Sequence, residues 1–297
     1  MYLQHFGLRE LPFTLTPNTQ FFCDLPGHRE ALNVLLVALA GGEGFIKITG
    51  EVGSGKTLLC RLLLNSLHGK QPYAYVANAN LEPPALQRAL ASELGLPDTL
   101  ATAELPRAIE RQLLALARAG HPVVLIIDEA QALPDSSLES LRLFTNLETE
   151  RGKLLQVVLF GQPELDTRLA RPQLRQLRQR IAFSYCLPRL SLRQSNRYLQ
   201  HRLDHAGWQH GRGFSRPAQA ALHFFAVGTP RVLNLLSHKC LMLAYAGQRY
   251  RLRLRDVLHA ASDTEATRPL QRALRQCLLL AAGLLSAGLA LAFWTQP

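Results

Sequence analysis

The chain has 297 residues, 47% hydrophobic and 19% charged, enough for about two domains with packed cores, which excludes extensive disorder. Lysine and arginine total 33 against 22 aspartate and glutamate, a net charge of +11, so an anionic partner is expected: nucleotide, nucleic acid or a phospholipid surface. Cys23, Cys60, Cys186, Cys240 and Cys277 form no CxxC pair and have no histidine at a metal spacing, which argues against zinc and fits a reducing compartment.

The opening "MYLQHFGLRELPF" lacks the basic start, apolar run and small-residue cleavage site of a secretory signal, so the bulk of the chain is expected in the cytoplasm. From 45 to 187 short β-rich runs alternate with amphipathic stretches: "FIKITG", "YAYVANA", "VVLIID", "LLQVVLFG" and "IAFSYCL". That alternation predicts an α/β fold with a parallel sheet covered by helices on both faces. Gly69 is expected to stop the helix "TLLCRLLLNSLH", and Ser136 with Glu139 reads as a capping box opening "SSLESLRLFTNLE". Beyond 190 strands become scarce. Ser191 with Gln194 caps a helix to about Ala206, Pro217 stands near the start of a second and Pro230 opens a third, a separate small helical domain.

The segment "GEVGSGKT" runs from Gly50 to Thr57 and satisfies G-x-x-x-x-G-K-[ST], with a β-run before it and a helical pattern after it. The expected phosphate cradle is Gly50, Glu51, Val52, Gly53, Ser54, Gly55, Lys56, Thr57 and Leu58, with Lys56 reaching the β- and γ-phosphates and the Thr57 hydroxyl on Mg²⁺. The buried run "VVLII" ends in Asp128 and Glu129 at the carboxyl edge of the sheet. Asp128 is assigned to Mg²⁺ through water and Glu129 to the water that attacks the γ-phosphate. No N-K-x-D guanine-reading phrase is present, so ATP is the expected nucleotide.

Three further positions have two readings each. Gln162 follows "VVLFG" and either senses the γ-phosphate beside Asp128 or is an ordinary loop residue. Arg231 in "GTPR" either reaches the γ-phosphate from a lid helix or lies on a solvated face. Arg175, Arg178 and Arg180 crowd a helix end, and one of them, Arg180 first, either enters a neighbouring subunit's site as an arginine finger or is surface charge.

Taken together, "PFTLTP", "GEVGSGKT", "DEAQ", "LRLFTNLETE", "KLLQVVLFGQPEL", "LRQLRQRI" and "GTPRVLN" resemble the AAA+ ATPases of the ExeA/GspA secretion type, especially the MshM type of MSHA pilus biogenesis. The resemblance covers nearly the whole of residues 1–262. It implies a P-loop AAA+ module at 1–190, a helical lid at 191–262 and an ATPase that works as a homo-oligomeric ring. It further implies inner-membrane partners in pilus or secretion assembly. The peptidoglycan-binding region that the secretion members carry beyond their apolar segment is not carried over.

The last stretch, "CLLLAAGLLSAGLALAFW", from Cys277 to Trp294, is uncharged. As a helix it would be about 27 Å long, just short of the roughly 30 Å hydrocarbon core. Its leucines and phenylalanine favour insertion by roughly 2.5–5 kcal/mol before glycine and serine subtract. A single C-terminal transmembrane helix at 277–294 is expected in the bacterial inner membrane, preceded by a basic segment at 263–276. Arg268, Arg272 and Arg275 lie on one face beside anionic lipid, which puts the catalytic part in the cytoplasm. The alternating "RYRLRLR" places Arg249, Arg251, Arg253 and Arg255 on one face if extended, as a solvated edge strand or a lipid or partner contact. The rival reading is a soluble DNA-associated ATPase of the transposition-helper type, with nucleic acid taking the positive charge. A scaffold that binds ATP without turnover is disfavoured by Glu129.

Overall fold

The computed structural model describes residues 2–77, 80–149, 152–211, 213–273 and 276. The chain divides into two compact units, Thr16–Arg189 and a second made of the residues up to Leu15 with those from Leu190 onward.

In the first unit, β1 (Phe45–Thr49), β2 (Tyr73–Val76), β3 (Val123–Ile127), β6 (Leu155–Gly161) and β7 (Ile181–Cys186) form one sheet of order β2-β3-β6-β1-β7, paired in parallel throughout. A two-stranded ribbon, β4 (Glu148–Thr149) with β5 (Gly152–Lys153), precedes β6. The central strands are buried on both sides because consecutive residues feed opposite cores. Val123, Leu125 and Ile127 join one cluster with Val157 and Leu159. Val124 and Ile126 join the other with Ile46, Ile48, Val158 and Phe160.

Helices α2 (Pro26–Ala40) and α3 (Lys56–Leu67) close the second cluster through Ala31, Leu35, Leu59 and Leu63. Helices α4 (Pro83–Glu93), α5 (Leu105–Arg118), α6 (Asp135–Phe144) and α7 (Pro163–Leu169) close the first through Leu90, Ile109, Leu113, Leu138 and Leu165. The short α8 (Arg175–Arg180) leads into β7. All five expected strands are present, with helices on both faces of the sheet.

The second unit contains α1 (Tyr2–Phe6), α9 (Leu192–His205), α10 (Arg216–Ala226), α11 (Pro230–Ala246) and α12 (Leu254–Ser262). Ser191 and Gln194 make the expected reciprocal capping box on α9, and prolines occupy the first turns of α10 and α11. The N-terminal residues differ from the expected 1–190 domain. They pack with the helices because Arg202 donates to the Pro12 carbonyl and to Thr14 Oγ1 (3.3 Å), and Asn234 donates to the Thr14 carbonyl at 3.1 Å.

Two local expectations are corrected. Helix α6 starts at Asp135 behind Pro134, and Ser136 and Glu139 make no capping box. Ser136 Oγ donates to Glu82 at 3.2 Å and Glu139 is taken by Arg142 at 2.7 Å, while Asp135 supplies the first-turn negative charge that favours the helix dipole. The basic stretch 249–255 is no edge strand. Leu252 makes an isolated bridge with Phe214 and α12 begins at Leu254, because Asp256 accepts from the Arg253 N–H at 2.8 Å and pairs with Arg249. Among the described residues no helix is long and apolar enough to cross a membrane. The expected span at 277–294, with Arg275, lies outside the described residues.

Candidate functional site

The site is built where β1 and β3 deliver their carboxyl ends side by side with β6 between them. After Thr49 the chain enters "GEVGSGK" and turns directly into α3, whose first N–H groups have no helical carbonyl to meet. Gly55, the residue before the helix, has φ +106°, a conformation side-chain-bearing residues rarely adopt, and a Cβ there would lie 2.7 Å from His28 Nε2. That imidazole meets the Ser54 carbonyl at 2.9 Å and bolts the loop to the first turn of α2. Burial drives the His28 pKa below its ordinary value against the opposing pull of that carbonyl, so the ring is neutral in this contact.

Lys56 is 5% exposed and folds back over the loop, donating to the carbonyls of Gly50 (2.7 Å) and Glu51 (3.1 Å). Burial lowers its pKa, and the carboxylates of Glu129 and Asp128 pull the other way. Ser54 Oγ is buried with no hydrogen-bond partner among the described residues, and a Cβ on Gly50 would come within 2.8 Å of it. An unsatisfied hydroxyl, free helix N–H groups and a buried ammonium form a cradle that fits a polyphosphate. Glu51 at the lip pairs with Arg189 at 3.1 Å, both half-exposed, and Val52 is exposed.

Asp128 follows the last residue of β3 and is buried. Burial raises its pKa, opposed by hydrogen bonds from the Thr57 side chain and from the Glu129 N–H, the latter at 2.9 Å. A carboxylate and a hydroxyl brought together beside a phosphate cradle are the hard oxygen donors that suit Mg²⁺. Glu129 sits at φ +53°, ψ +39°, left-handed backbone that a non-glycine residue holds at a cost of about 1–3 kcal/mol.

Two amides hold the Glu129 side chain. Gln131 Nε2 and Gln162 Nε2 (3.0 Å) both donate to Oε2, and the Gln131 amide oxygen accepts the Gln162 N–H at 3.0 Å. Arg168 on α7 completes the arrangement by donating to the Gln131 carbonyl at 2.6 Å and pairing with Asp135. Desolvation pushes the Glu129 pKa up, but the hydrogen bonds from Gln131 and Gln162 and the charge of Lys56 outweigh it and leave the carboxyl below its ordinary value. The result is a carboxylate held in its ionised form at neutral pH, with Oε1 left to accept a proton from water.

Lys56, Thr57, Asp128, Glu129 and Gln162 therefore come together, as does the cradle from Gly50 to Leu58. Arg175, Arg178 and Arg180 are exposed on α8, with the Arg180 charge beside Glu148. Arg231 is exposed in the first turn of α11 in the helical unit. Sequence reasoning passed over His28, Arg189 and Gln131. Gln131 had a signal, since it stands in the "DEAQ" phrase three residues after Asp128. His28 had none, because its contact with the loop spans 26 positions.

Comparison with known proteins agrees with this geometry. The AAA domain matches residues 39–169. The chain is 41% identical over 292 residues to General secretion pathway protein A of Aeromonas hydrophila, covering 95% of this chain and 53% of that protein. It thus spans about half the length of that relative. Cdc6p from Pyrobaculum aerophilum superposes with a TM-score of 0.63 at 18% identity, covering 84% of this chain and 71% of its own. The Aeropyrum pernix ORC1 protein, solved in complex with DNA, superposes at 0.61 with 19% identity over 85% and 69%. The Thermotoga maritima RuvB branch migration motor superposes at 0.53 with 14% identity over 85% and 73%. At these identities the structures speak for the fold alone. The chain has the P-loop AAA+ fold, carries an AAA domain at residues 39–169 and is an ATPase.

Proposed function

We propose that the protein is a membrane-anchored AAA+ ATPase that hydrolyses ATP to support assembly of a type IV-like pilus of the MSHA kind or a secretin-containing type II secretion machine. The observation that carries this reading is the identity shared with General secretion pathway protein A along nearly all of this chain. The chain acts as a homo-oligomeric ring at the bacterial inner membrane, with the ATPase on the cytoplasmic side, and its partners are the inner-membrane components of that machine.

In this reading the loop from Gly50 to Leu58 wraps the phosphates and Lys56 leaves its two carbonyl contacts for the β- and γ-phosphate oxygens. Thr57 and Asp128 would hold Mg²⁺, which when bound neutralises charge on the phosphate oxygens. Glu129 takes the proton of the attacking water on Oε1 while Gln131 and Gln162 hold Oε2. Gln162, fixed by its backbone to Gln131, reports the γ-phosphate to Glu129. Arg231 contributes positive charge at the γ-phosphate from the lid, and Arg180 does so from the neighbouring subunit.

Two experiments test this. Lys56→Ala should abolish ATP binding, whereas Glu129→Gln should keep ATP bound and cut turnover by about 10³-fold or more. Equal loss of binding in both would refute the site. Leu285→Arg, in the apolar run, costs about 2.5–3.5 kcal/mol of insertion and should release an active ATPase into the soluble fraction. Wild-type protein removed from membranes by carbonate, with duplex DNA bound tightly at physiological salt, would instead favour the DNA-associated alternative.

A further inference from the structure

In the helical unit α9 and α10 pack antiparallel. Ser195 Oγ meets His223 Nδ1 at 3.0 Å, and the Leu190 N–H donates to the Gly228 carbonyl at 2.9 Å. Between their outer faces lies a groove of about 470 Å³ lined from α9 by Leu192, Asn196, Arg197 and Gln200 and from α10 by Arg216 and Ala220. No carboxylate lines it.

The groove has an apolar end and a cationic end. The antiparallel register, with Leu190 at Gly228 and Ser195 at His223, sets Leu192 toward the end of α10 that carries Phe224, one turn beyond Ala220 on the same face. Leu192, on the groove, is 42% exposed, and Phe224, just beyond its lining, is 46% exposed. At the other end Arg197 and Arg216 are exposed and enter no ion pair or hydrogen bond among the described residues. On the groove wall, Asn196 Oδ1 is buried and lacks a donor.

These features specify an occupant jointly. Free guanidinium groups call for carboxylates or phosphates. A buried amide oxygen calls for an N–H, which a phosphodiester backbone does not have and a peptide backbone has at every residue. Exposed leucine and phenylalanine call for an apolar side chain. We propose that the α9–α10 groove binds a short acidic segment of a partner protein. An apolar side chain of that segment lies against Leu192 and Phe224, its carboxylates pair with Arg197 and Arg216, and a backbone N–H reaches Asn196. None of these residues is among those assigned to the ATP site.

The test uses full-length protein in detergent and a phage-displayed library of random dodecapeptides. Retained sequences should be enriched in Asp and Glu next to Leu or Phe. A retained peptide, labelled with fluorescein and followed by anisotropy, should bind at least about tenfold more weakly to the Arg197→Glu/Arg216→Glu variant and about threefold more weakly to Leu192→Ser. The Arg251→Glu/Arg255→Glu variant carries the same charge change on the same unit and should bind within about twofold of wild type. Unchanged ATPase activity in all three would show that they fold. No retained peptide, no acidic enrichment, or equal weakening by the two charge-reversed pairs would overturn the proposal. So would a duplex oligonucleotide that displaces the peptide and itself requires Arg197 and Arg216.

Discussion

Two buried carboxylates, one in each unit, have opposite electrostatics. Asp128 at the end of β3 and Asp256 in the first turn of α12 are each 3% exposed. Burial raises the Asp128 pKa past what its hydrogen bonds recover. Burial would raise Asp256 too, but a two-pronged contact from Arg249 (2.9 and 2.7 Å) and the Arg253 N–H hold it below the ordinary range. The helical unit saturates its charge and uses it to begin a helix. The α/β unit keeps Asp128 next to a hydroxyl and one backbone N–H, with lone pairs to spare, and accepts a less stable apo protein. Burial alone thus identifies neither role, and the completeness of the partner set separates them.

The sharpest way to break this comparison is to neutralise each carboxylate. Asp128→Asn should lower turnover by about 10³-fold, by loss of the Mg²⁺ ligand, while Asp256→Asn should leave kcat within about twofold wherever the protein is folded. Steady-state kinetics on both variants would check this, and a large kcat loss in Asp256→Asn would erase the distinction.

Stability should reverse the order. Asp256→Asn strands Arg249 and should cost about 3 kcal/mol, read as a fall of order ten degrees in the melting temperature of the helical unit. Asp128→Asn should raise the melting temperature of the α/β unit by a few degrees, about 1 kcal/mol. The pH dependence follows from the shifts. A carboxyl whose folded pKa is raised stabilises at pH below its unfolded value and loses that contribution as pH rises through the folded value. At neutral pH Asp128 is therefore a cost, which asparagine relieves. Asp256, lowered, stabilises above the ordinary aspartate range, and its contribution disappears only as pH falls through its depressed value. Melting curves between acid and neutral pH should show the two variants converging on wild type at the acid end.

The smallest effect concerns Gln131. Gln131→Leu removes one donor from Glu129, so the acidic limb of the kcat–pH profile at saturating Mg²⁺ and ATP should move to higher pH. A lower kcat with an unmoved limb would assign Gln131 a purely structural part.

Much of this was legible in residue order. The central strands announce themselves because two-sided burial demands uninterrupted apolar runs such as "VVLII", and the phosphate loop because its glycines meet a local backbone requirement. The rest depended on distant partners. Nothing in "LPFTLT" reports that Arg202 and Asn234 will take its carbonyls, nor in "RYRLRLR" that Asp256 will cap a helix there. The box expected from Ser136 and Glu139 failed because Arg142 competes for the glutamate and Pro134 occupies the cap. Gln131 was missed because its role needs β6 beside β3, a matter of topology.

Since two amides share one oxygen of Glu129, that carboxylate cannot spin freely about its last torsion, and the heading of Oε1 is inherited from Gln131. Gln131 in turn is tethered through its carbonyl to Arg168 on α7. The base is therefore geared to α7 through Arg168, and a mechanical load that shifted this helix would re-aim Oε1 and so retune hydrolysis.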